Sequence, residues 1–600
     1  MTGKAPKASD ERTASKAWLR ALELTAPIAR RPQRIFPTVI EELAERQADA
    51  PALLSDGLRL NFGELARHAR RYARWALGQS VSKGDVVCLL MPNCPAYLAI
   101  WLGISRIGGV VSLLNTSLKG SQIAHCINIV APAHVIVAGE LIDALEEALP
   151  ELQRSPSIWV HGEARTAYPR VDLDMERQSG ETLSAAEAAP PTVADLALHI
   201  YTSGTTGLPK AANVSHLRLM QWSHWFAGLM GTGPGDRMYN CLPMYHSVGG
   251  VLATGAVLVG GGSVVIREGF SAHGFWNDVR HWDCTLFQYI GELCRYLLGV
   301  EPRAEDSEHR IRMCCGNGLR PDVWRGFQAR FRIPKILEFY AATEGNVSLF
   351  NVEGRPGAIG RVPSYLAHRF PAALVKFDYE AEQPLRDLRG RCLPCAVDEV
   401  GEAIGKIPTR ESGSGSPFEG YTSKEASESK VLRDVFDAGD AWFRTGDLMR
   451  KDAQGYFYFV DRIGETFRWK GENVSTSEVA AVIGEFPGIK EASVYGVPIP
   501  GTDGKAGMAA LVADGEPDLA ALHRHLAARL PAYACPLFLR LRDALEVTAT
   551  LKHSKQELVR EGYDPRAVSD PLYFNDGAQR SFVPLDAALH ARIVSGRVRV

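Results

Sequence analysis

Short apolar runs rich in β-branched residues alternate with helical stretches from about residue 80 to about residue 350. This alternation predicts parallel sheets covered by helices, because a parallel connection needs a crossover of a dozen or more residues. We therefore predict an α/β fold for this part of the chain. The strand candidates are VVCLLM, VVSLL, AHVIVAG, SIWVHG, LALHIYTSG, RMYNCLP and GSVVIRE.

After Asp461 the pattern changes to a smaller α+β unit. There GENVSTSEVAAVIGEFPGIKEASVYGVPIPG predicts helix, turn and strand, and LAALHRHLAARLPAYACPLFLRLRDAL predicts helix and strand. We predict a large N-terminal domain over residues 1–461, a hinge over 462–465 and a small mobile C-terminal domain over 466–600. The Ser-, Gly-, Glu- and Lys-rich stretch Glu411–Asp440 is predicted to be a mobile surface loop.

Composition narrows the class of protein. The formal net charge is −2, so nothing in it indicates a nucleic-acid partner. Cys392 and Cys395 form a C-x-x-C without a second pair, so free buried thiols are favoured over a zinc site. Reduced cysteines and a polar N-terminus without an apolar core predict a cytoplasmic protein. The sequence does not indicate an oligomeric state.

Two uncharged runs are about as long as a membrane-spanning helix. The first, over residues 86–105, contains two prolines and predicts strand, turn and helix; the second, over 247–266, is interrupted by glycines and ends in a β-like GSVVI. We predict that both are core segments. The predicted helix in LRLNFGELARHARRYARWAL has arginines on its polar face. We favour exposure of this face to solvent over binding of anionic lipid. Peripheral contact with the inner face of a membrane stays open.

The string YTSGTTGLPK follows an apolar strand and has the chemistry of a phosphate-binding loop. Its glycines let the backbone approach a ligand, its hydroxyls and N–H groups can surround an anion, and its lysine adds positive charge. It is not a Walker A loop, since Leu208 and Pro209 separate the last glycine from the lysine. An ordinary turn is the alternative for a shorter run. The predicted nucleotide-binding residues here are Thr202, Ser203, Gly204, Thr205, Thr206, Gly207 and Lys210.

This string resembles the signature of the AMP-forming adenylating superfamily, which holds acyl-CoA synthetases, nonribosomal peptide adenylation domains and beetle luciferases. Further motifs resemble the family's in the same order: LPMYHS, CGNGLRPDVWRGF, FYAATEG, FRTGD and VDRIGETFRWKGENVSTSEV. The strings YIGELCRYLL, CGNGLRPDVW, FRWKGENVSTSEV and DPLYFNDGAQRSFVPLD resemble the fatty acid transport protein and very-long-chain acyl-CoA synthetase branch. The sequence differs from that branch in Ala341, where glycine is common, and in lacking an N-terminal apolar anchor.

The resemblance implies roles for individual residues. His246 would orient the carboxylate of the acid or gate its pocket. Tyr340 would stack on adenine, Thr343 would bind a phosphate, and Asp447 would accept both ribose hydroxyls. Arg462 would contact the ribose or the α-phosphate. Lining of the adenine and acyl pocket is implied for Gly316 and Asn317, and Mg²⁺ binding is implied for Glu344 and Thr206.

The loop TATLKHSK resembles the segment that carries the adenylation lysine. A cation there would stabilise charge on the α-phosphate. Ala549 stands where the family has glycine, and two lysines lie nearby. Lys552 is favoured as the catalytic lysine, with Lys555 as the alternative.

The implied activity is ATP-dependent conversion of a long- or very-long-chain fatty acid to acyl-AMP, followed by transfer to coenzyme A. The small domain would rotate at the hinge between the two steps. A carrier protein as acyl acceptor, a lipid-uptake protein on a synthetase fold and, more remotely, a luciferase-like oxygenase are the alternatives. The sequence leaves chain length open and allows aromatic or bile-acid-like substrates.

Overall fold

A computed structural model describes residues 8–202, 208–378, 381–408, 418–463, 466–469, 472–500, 502, 504–545 and 555–598. They form two compact units. The first comprises Met1–Pro371 and Gly405–Leu432, and the second comprises Ala372–Ile404 and Arg433–Val600.

The first unit contains the alternating strands and helices. Its strands are β1 Pro51–Leu54, β2 Arg59–Asn61, β3 Val86–Leu90, β4 Val110–Leu113, β5 His134–Ala138, β6 Ser157–His161, β7 Leu196–Thr202, β8 Lys210–Ser215, β9 Arg237–Asn240, β10 Ser263–Ile266, β11 Leu286–Ile290, β12 Met313–Asn317, β13 Ile336–Ala341, β14 Ser348–Asn351 and β15 Gly360–Arg361. Its helices are α1 Ala8–Thr25, α2 Phe36–Gln47, α3 Phe62–Gly78, α4 Pro95–Arg106, α5 Ser121–Asn128, α6 Ile142–Ala148, α7 Val171–Glu176, α8 His216–Met230, α9 Ala253–Leu258, α10 Phe275–His281, α11 Gly291–Gly299, α12 Pro321–Phe331 and α13 Lys424–Glu428.

Two mainly parallel sheets organise this unit. One has the strand order β6-β5-β3-β4-β7-β8 and is parallel except at β7–β8. The other has the order β15-β14-β13-β12-β11-β9-β10-β1-β2 and is parallel from β13 to β1. All seven strand candidates form strands, so the α/β prediction is confirmed. The apolar runs form buried strands because helices cover both faces of a parallel sheet.

The two uncharged runs are core segments, as predicted. The first divides into β3 and α4, whose residues are almost all buried, and the prolines mark the turn between them. The second contains a π-helix over Val248–Leu252, then α9 and β10. Within the described ranges, no helix combines the length and apolar character that crossing a membrane requires.

Two arginines of α3, predicted to face solvent, form ion pairs with other parts of the unit. Arg70 forms an ion pair with Glu41, and Arg74 binds Glu187 at 2.8 Å. Arg74 also donates to the carbonyls of Ser179 and Glu181. These contacts attach the segment 179–187 to the polar face of the helix.

One local prediction was wrong. The predicted loop Glu411–Asp440 carries α13 and a short strand, and its Tyr421 is only 6% exposed. The cause is non-local: residues next to Tyr421 hydrogen-bond to β8, whereas composition reports only local preference. Residues 409–417 of this stretch lie outside the described ones.

The second unit contains the remaining elements, two of which extend slightly past its limits. Its strands are β16 Ala372–Val375, β17 Phe377–Asp378, β18 Gln383–Pro384, β19 Val400–Lys406, β20 Val431–Arg433, β21 Ala441–Lys451, β22 Tyr456–Arg462, β23 Phe467–Trp469, β24 Glu472–Val474, β25 Ile489–Pro498, β26 Lys505–Ala513, β27 Phe538–Leu541, β28 Leu572–Asp576 and β29 Ser581–Pro584. Its helices are α14 Thr476–Gly484, α15 Leu519–Arg529, α16 Gln556–Glu561 and α17 Ala587–Val594.

Within this unit the strands pair as β16-β19-β21-β22 and as β25-β26-β27-β28-β29. The predicted helix–strand pairs match α14 with β25 and α15 with β27, which share a hydrophobic core. Because β16 and β19 pair with later strands, the second compact unit includes residues from Ala372 onward, and the predicted domain boundary at 461 stays a prediction. Residues 464 and 465 lie outside the described ones, and the hinge over 462–465 stays a prediction.

Candidate functional site

The predicted residues of the first unit follow the carboxyl ends of neighbouring strands. Asn317 is the last residue of β12, and Tyr340 lies near the end of β13, with Thr343 and Glu344 directly after it. Ligands of α/β sheets bind at this edge, where loops leave the strands. The strand order therefore places these predicted residues on adjacent loops.

Glu344 is a buried carboxylate, 9% exposed, in this loop. Its Oε1 accepts a hydrogen bond from the hydroxyl of Tyr421 at 2.7 Å. The neighbouring Thr343 hydroxyl lies 3.2 Å from Ser247 Oγ, which directly follows His246. The structure thus brings together two of the predicted motifs, LPMYHS and FYAATEG, and connects them through Tyr421 to β8, which opens with Lys210 at the end of the phosphate loop.

Of the phosphate loop, Ser203, Gly204, Thr205, Thr206 and Gly207 lie outside the described residues. Its two ends are described: Thr202 closes β7, Lys210 opens β8, and the two are antiparallel partners. Lys210 Nζ lies 5.6 Å from the centroid of the Tyr421 ring. The end of the loop and Glu344 are therefore linked by one tyrosine.

The segment around Tyr421 is fixed to β8 by backbone hydrogen bonds. Asn213 N donates to Gly420 O, and Thr422 N donates to Ala211 O, each at 3.0 Å. Tyr421 and Glu419 lie in none of the predicted motifs. The only signal was an aromatic residue inside a polar stretch, in FEGY.

Arg218, also missed, is a buried cation on α8, 3% exposed. Its Nη1 donates to the carbonyl of Thr343 at 2.5 Å, and its Nε lies 3.5 Å from Glu419 Oε1. Glu419 in turn accepts from the N–H and hydroxyl of Ser215, which caps α8. Burial lowers the pKa of Arg218, and the carboxylates of Glu419 and Glu344 oppose that shift. A buried charge is tolerated only with such partners.

The ring of Tyr289 packs against the backbone of Gly316. A Cβ added there would meet Tyr289 O at 2.2 Å and the Tyr289 ring at 2.5 Å. The Tyr289 hydroxyl donates to Glu338, whose other oxygen accepts from Leu319 N at 3.1 Å. Burial raises the pKa of Glu338 to about 8. These contacts fix the start of the loop after β12.

Asn317 carries a buried acceptor: within the described ranges, no group donates to its Oδ1. An orphaned buried acceptor favours a ligand with an N–H group, such as the amine of adenine. His246 packs its ring against Tyr245, with the centroids 4.6 Å apart. Both positions are compatible with the predicted roles, which stay predictions.

In the second unit, the structure brings together the two residues predicted for the ribose. Asp447 and Arg462 are cross-strand partners on β21 and β22, and Arg462 Nε lies 3.2 Å from Asp447 Oδ1. Asp447 is 6% exposed. Its N–H donates to the hydroxyl of Thr445, which donates to Ala403 O at 2.7 Å. Arg462 therefore contacts the carboxylate from β22, and Thr445 fixes the backbone of Asp447 on β21.

The favoured lysine, Lys552, lies outside the described residues. Among the residues that are described, no group of three or more His, Cys, Asp or Glu side chains could hold a metal ion. Mg²⁺ in nucleotide sites uses one or two carboxylates plus phosphate oxygens, so a single buried carboxylate such as Glu344 fits that chemistry. All eleven cysteines are free thiols, and most of them are buried.

Comparison with known proteins decides the family. Residues 40–368 match the model described as AMP-binding enzyme, and residues 478–552 match that of the AMP-binding enzyme C-terminal domain. The chain belongs to the AMP-binding enzyme family. Long-chain fatty acid transport protein 6 of Mus musculus is 40% identical over 94% of this chain and 91% of its own length. The predicted superfamily and branch are thereby confirmed.

Solved structures of other adenylating enzymes have the same fold. An anthranilate CoA ligase in complex with anthranoyl-AMP superposes with a TM-score of 0.73 at 21% identity, covering 87% of this chain and 96% of that one. ATP-bound MatB from Rhodopseudomonas palustris gives 0.72 at 22% identity, covering 87% and 98%. As a member of this family of AMP-forming acyl-CoA ligases, the protein uses ATP.

Proposed function

We propose that this AMP-binding enzyme activates a long- or very-long-chain fatty acid as acyl-AMP and then transfers the acyl group to coenzyme A. The proposal of a fatty acid rests on the name of the mouse relative, a long-chain fatty acid transport protein, and on its similarity over nearly the whole chain. Coenzyme A as acceptor is supported by the resemblance of the motifs to acyl-CoA synthetases.

The observation that carries the proposal is the buried carboxylate of Glu344 at the carboxyl ends of the parallel strands, beside Thr343 and the strand that opens with Lys210. A magnesium polyphosphate is expected to be bound by a single carboxylate, which contacts the metal, and by hydroxyl groups and a lysine, which contact the phosphate oxygens. Glu344 and Thr206 would hold Mg²⁺, which would neutralise charge on the phosphate oxygens.

In the first step, a carboxylate oxygen of the acid attacks the α-phosphorus, and the bond to the leaving pyrophosphate breaks. Lys552 is proposed to stabilise the charge that develops on the α-phosphate. Thr202, Lys210 and Thr343 bind phosphate oxygens, while Asn317 and Tyr340 hold adenine.

Asp447 and Arg462 orient the ribose, and His246 orients the acid. In the second step, the sulfur of coenzyme A attacks the acyl carbon, the thiol proton is lost and AMP leaves.

The test is product analysis with purified protein, palmitate, MgATP and coenzyme A. We expect AMP, pyrophosphate and palmitoyl-CoA in equal amounts. Release of ADP and phosphate would exclude the mechanism. Acyl-AMP that is passed to a phosphopantetheinylated carrier protein and not to coenzyme A would replace the proposed acceptor. A panel from short to very-long-chain and sterol acids defines the substrate class.

The name of the relatives favours one second candidate, a role in fatty acid uptake. Lys552→Ala separates the two functions in cells that express the protein. If uptake depends on ligation, labelled fatty acid accumulation falls with acyl-CoA synthesis. Uptake that persists in this variant would assign a function independent of catalysis.

A further inference from the structure

Tyr421 lies between the two parts of the first unit proposed to bind the magnesium polyphosphate. Its hydroxyl donates to Glu344 Oε1 at 2.7 Å, and its ring lies beneath Lys210 Nζ. Tyr421 is 6% exposed and, as the isolated antiparallel partner of Ala212, is attached to β8. No motif that predicts nucleotide contacts includes it.

The direction of the hydrogen bond is fixed by chemistry. A phenol is protonated at neutral pH and a carboxylate accepts, so the Tyr421 hydroxyl donates to Glu344. A hydrogen bond to an ionised acceptor is stronger than a neutral one. It engages one oxygen of Glu344 and thereby restricts the rotation of the carboxyl group, so that the direction of the other oxygen is also set.

The loop that carries Glu344 is held from a second direction. Arg218 donates to the carbonyl of Thr343, and Arg218 and Tyr421 are connected through Glu419, two residues before Tyr421. Glu419 itself is fixed by Ser215 at the end of β8. One short segment, 419–421, therefore contributes to holding both the backbone and the side chain of the Thr343–Glu344 pair.

We propose that Tyr421 is a positioning residue that orients the Glu344 carboxylate for Mg²⁺ and links that carboxylate to the strand following the phosphate loop. This inference rests on the proposed function, in which Glu344 binds the metal. Tyr421 acts through Glu344 and contributes to binding of the nucleotide only when Mg²⁺ is present.

The experiment measures the dissociation constant of α,β-methylene ATP, which cannot donate its adenylyl group, by calorimetry with Mg²⁺ and with EDTA. For Tyr421→Phe we expect about a tenfold weaker affinity with Mg²⁺, equivalent to about 1.4 kcal/mol. With EDTA the affinity stays within about twofold of wild type, because the metal is absent from both. An equal change under both conditions, or none, overturns the proposal.

Tyr458→Phe is the matched control. The Tyr458 hydroxyl also donates to a carboxylate, Asp452 Oδ2, at 3.0 Å, but on β22 in the second unit. We expect this variant to bind the nucleotide like wild type under both conditions. If Tyr458→Phe weakens nucleotide affinity as much as Tyr421→Phe does, the loss of either tyrosine–carboxylate hydrogen bond acts only through protein stability, and the proposal is overturned.

Glu344→Gln separates this inference from the proposed function. If Tyr421 acts through Glu344, Tyr421→Phe has no further effect in the Glu344→Gln background, whereas additive losses overturn the inference. If Glu344→Gln itself leaves the Mg²⁺ dependence unchanged, the metal assignment of the proposed function fails. If Glu344→Gln loses that dependence and Tyr421→Phe does not, only the positioning role fails.

Discussion

Lys555 Nζ donates a hydrogen bond to Thr476 Oγ1 at 2.9 Å. Thr476 begins α14, and its N–H donates to the fully buried carboxylate of Asp461 at 2.6 Å. Ser475 Oγ donates to Val460 O, so the start of α14 is tied to the end of β22 at two points. Lys555 therefore helps to fix the start of α14 within the second unit. This structural role favours Lys552 over Lys555 as the catalytic lysine.

We predict that Lys552→Ala abolishes acyl-AMP formation but spares thioester formation from supplied acyl-AMP, since only the first step develops charge on the α-phosphate. Lys555→Ala should retain adenylation and lower the free energy of unfolding by about 1 kcal/mol through loss of its hydrogen bond. Pyrophosphate release and thermal unfolding measure the two effects. The reverse pattern would assign catalysis to Lys555.

Glu338 predicts a pH-dependent stability. Burial raises its pKa from 4.5 to about 8, so between these values the folded protein holds a proton that the unfolded chain has lost. Its stabilising contribution is full below pH 4.5 and is lost as the pH rises through 8. The slope approaches about 1.4 kcal/mol per pH unit.

The test compares wild type with Glu338→Gln between pH 6.5 and 8. The buried His199 and His216, with pKa values lowered to about 4, are present in both proteins, so their contributions cancel in the difference. Wild type should lose about 2 kcal/mol more than the variant over this interval in urea unfolding. Parallel curves for the two proteins would contradict the assignment to Glu338.

Features that depend on local sequence were predictable, whereas features that depend on contacts between distant parts of the chain were not. The strands were predictable because their apolar pattern is local, and Asp447 and Arg462 could be predicted as site residues because each lies in a recognisable string. Tyr421 was not, since its environment depends on pairing with β8, about 200 residues earlier; Ser215 and Glu419 are 204 residues apart. The packing of Tyr289 against Gly316 was not predictable either, because a glycine does not reveal which ring will lie against it.

Gly316→Ala should destabilise the protein by about 1–3 kcal/mol, the usual cost of overpacking, because the new methyl group would overlap Tyr289. Gly326→Ala in α12 is the control: its Cβ would meet only Leu298 side-chain atoms, the nearest at 3.5 Å. Alanine is the better helix former, so this variant should gain about 0.5–1 kcal/mol. Thermal unfolding measures both. Equal stabilities would refute the packing of Tyr289 against Gly316.

Asp447→Asn tests the ribose assignment through the substrate itself. A carboxylate that accepts two hydroxyl hydrogen bonds should make wild type prefer ATP over 2′,3′-dideoxy-ATP by at least about tenfold in kcat/KM, because hydrogen bonds to charged groups contribute about 1.5–3 kcal/mol. In Asp447→Asn, activity with ATP should fall toward that with the dideoxy analogue. Asp398→Asn removes another carboxylate that pairs with β21, the exposed partner of Arg450, and should keep the wild-type preference. If Asp447→Asn lowers activity with both nucleotides equally, the carboxylate acts through Arg462 and not on the ribose.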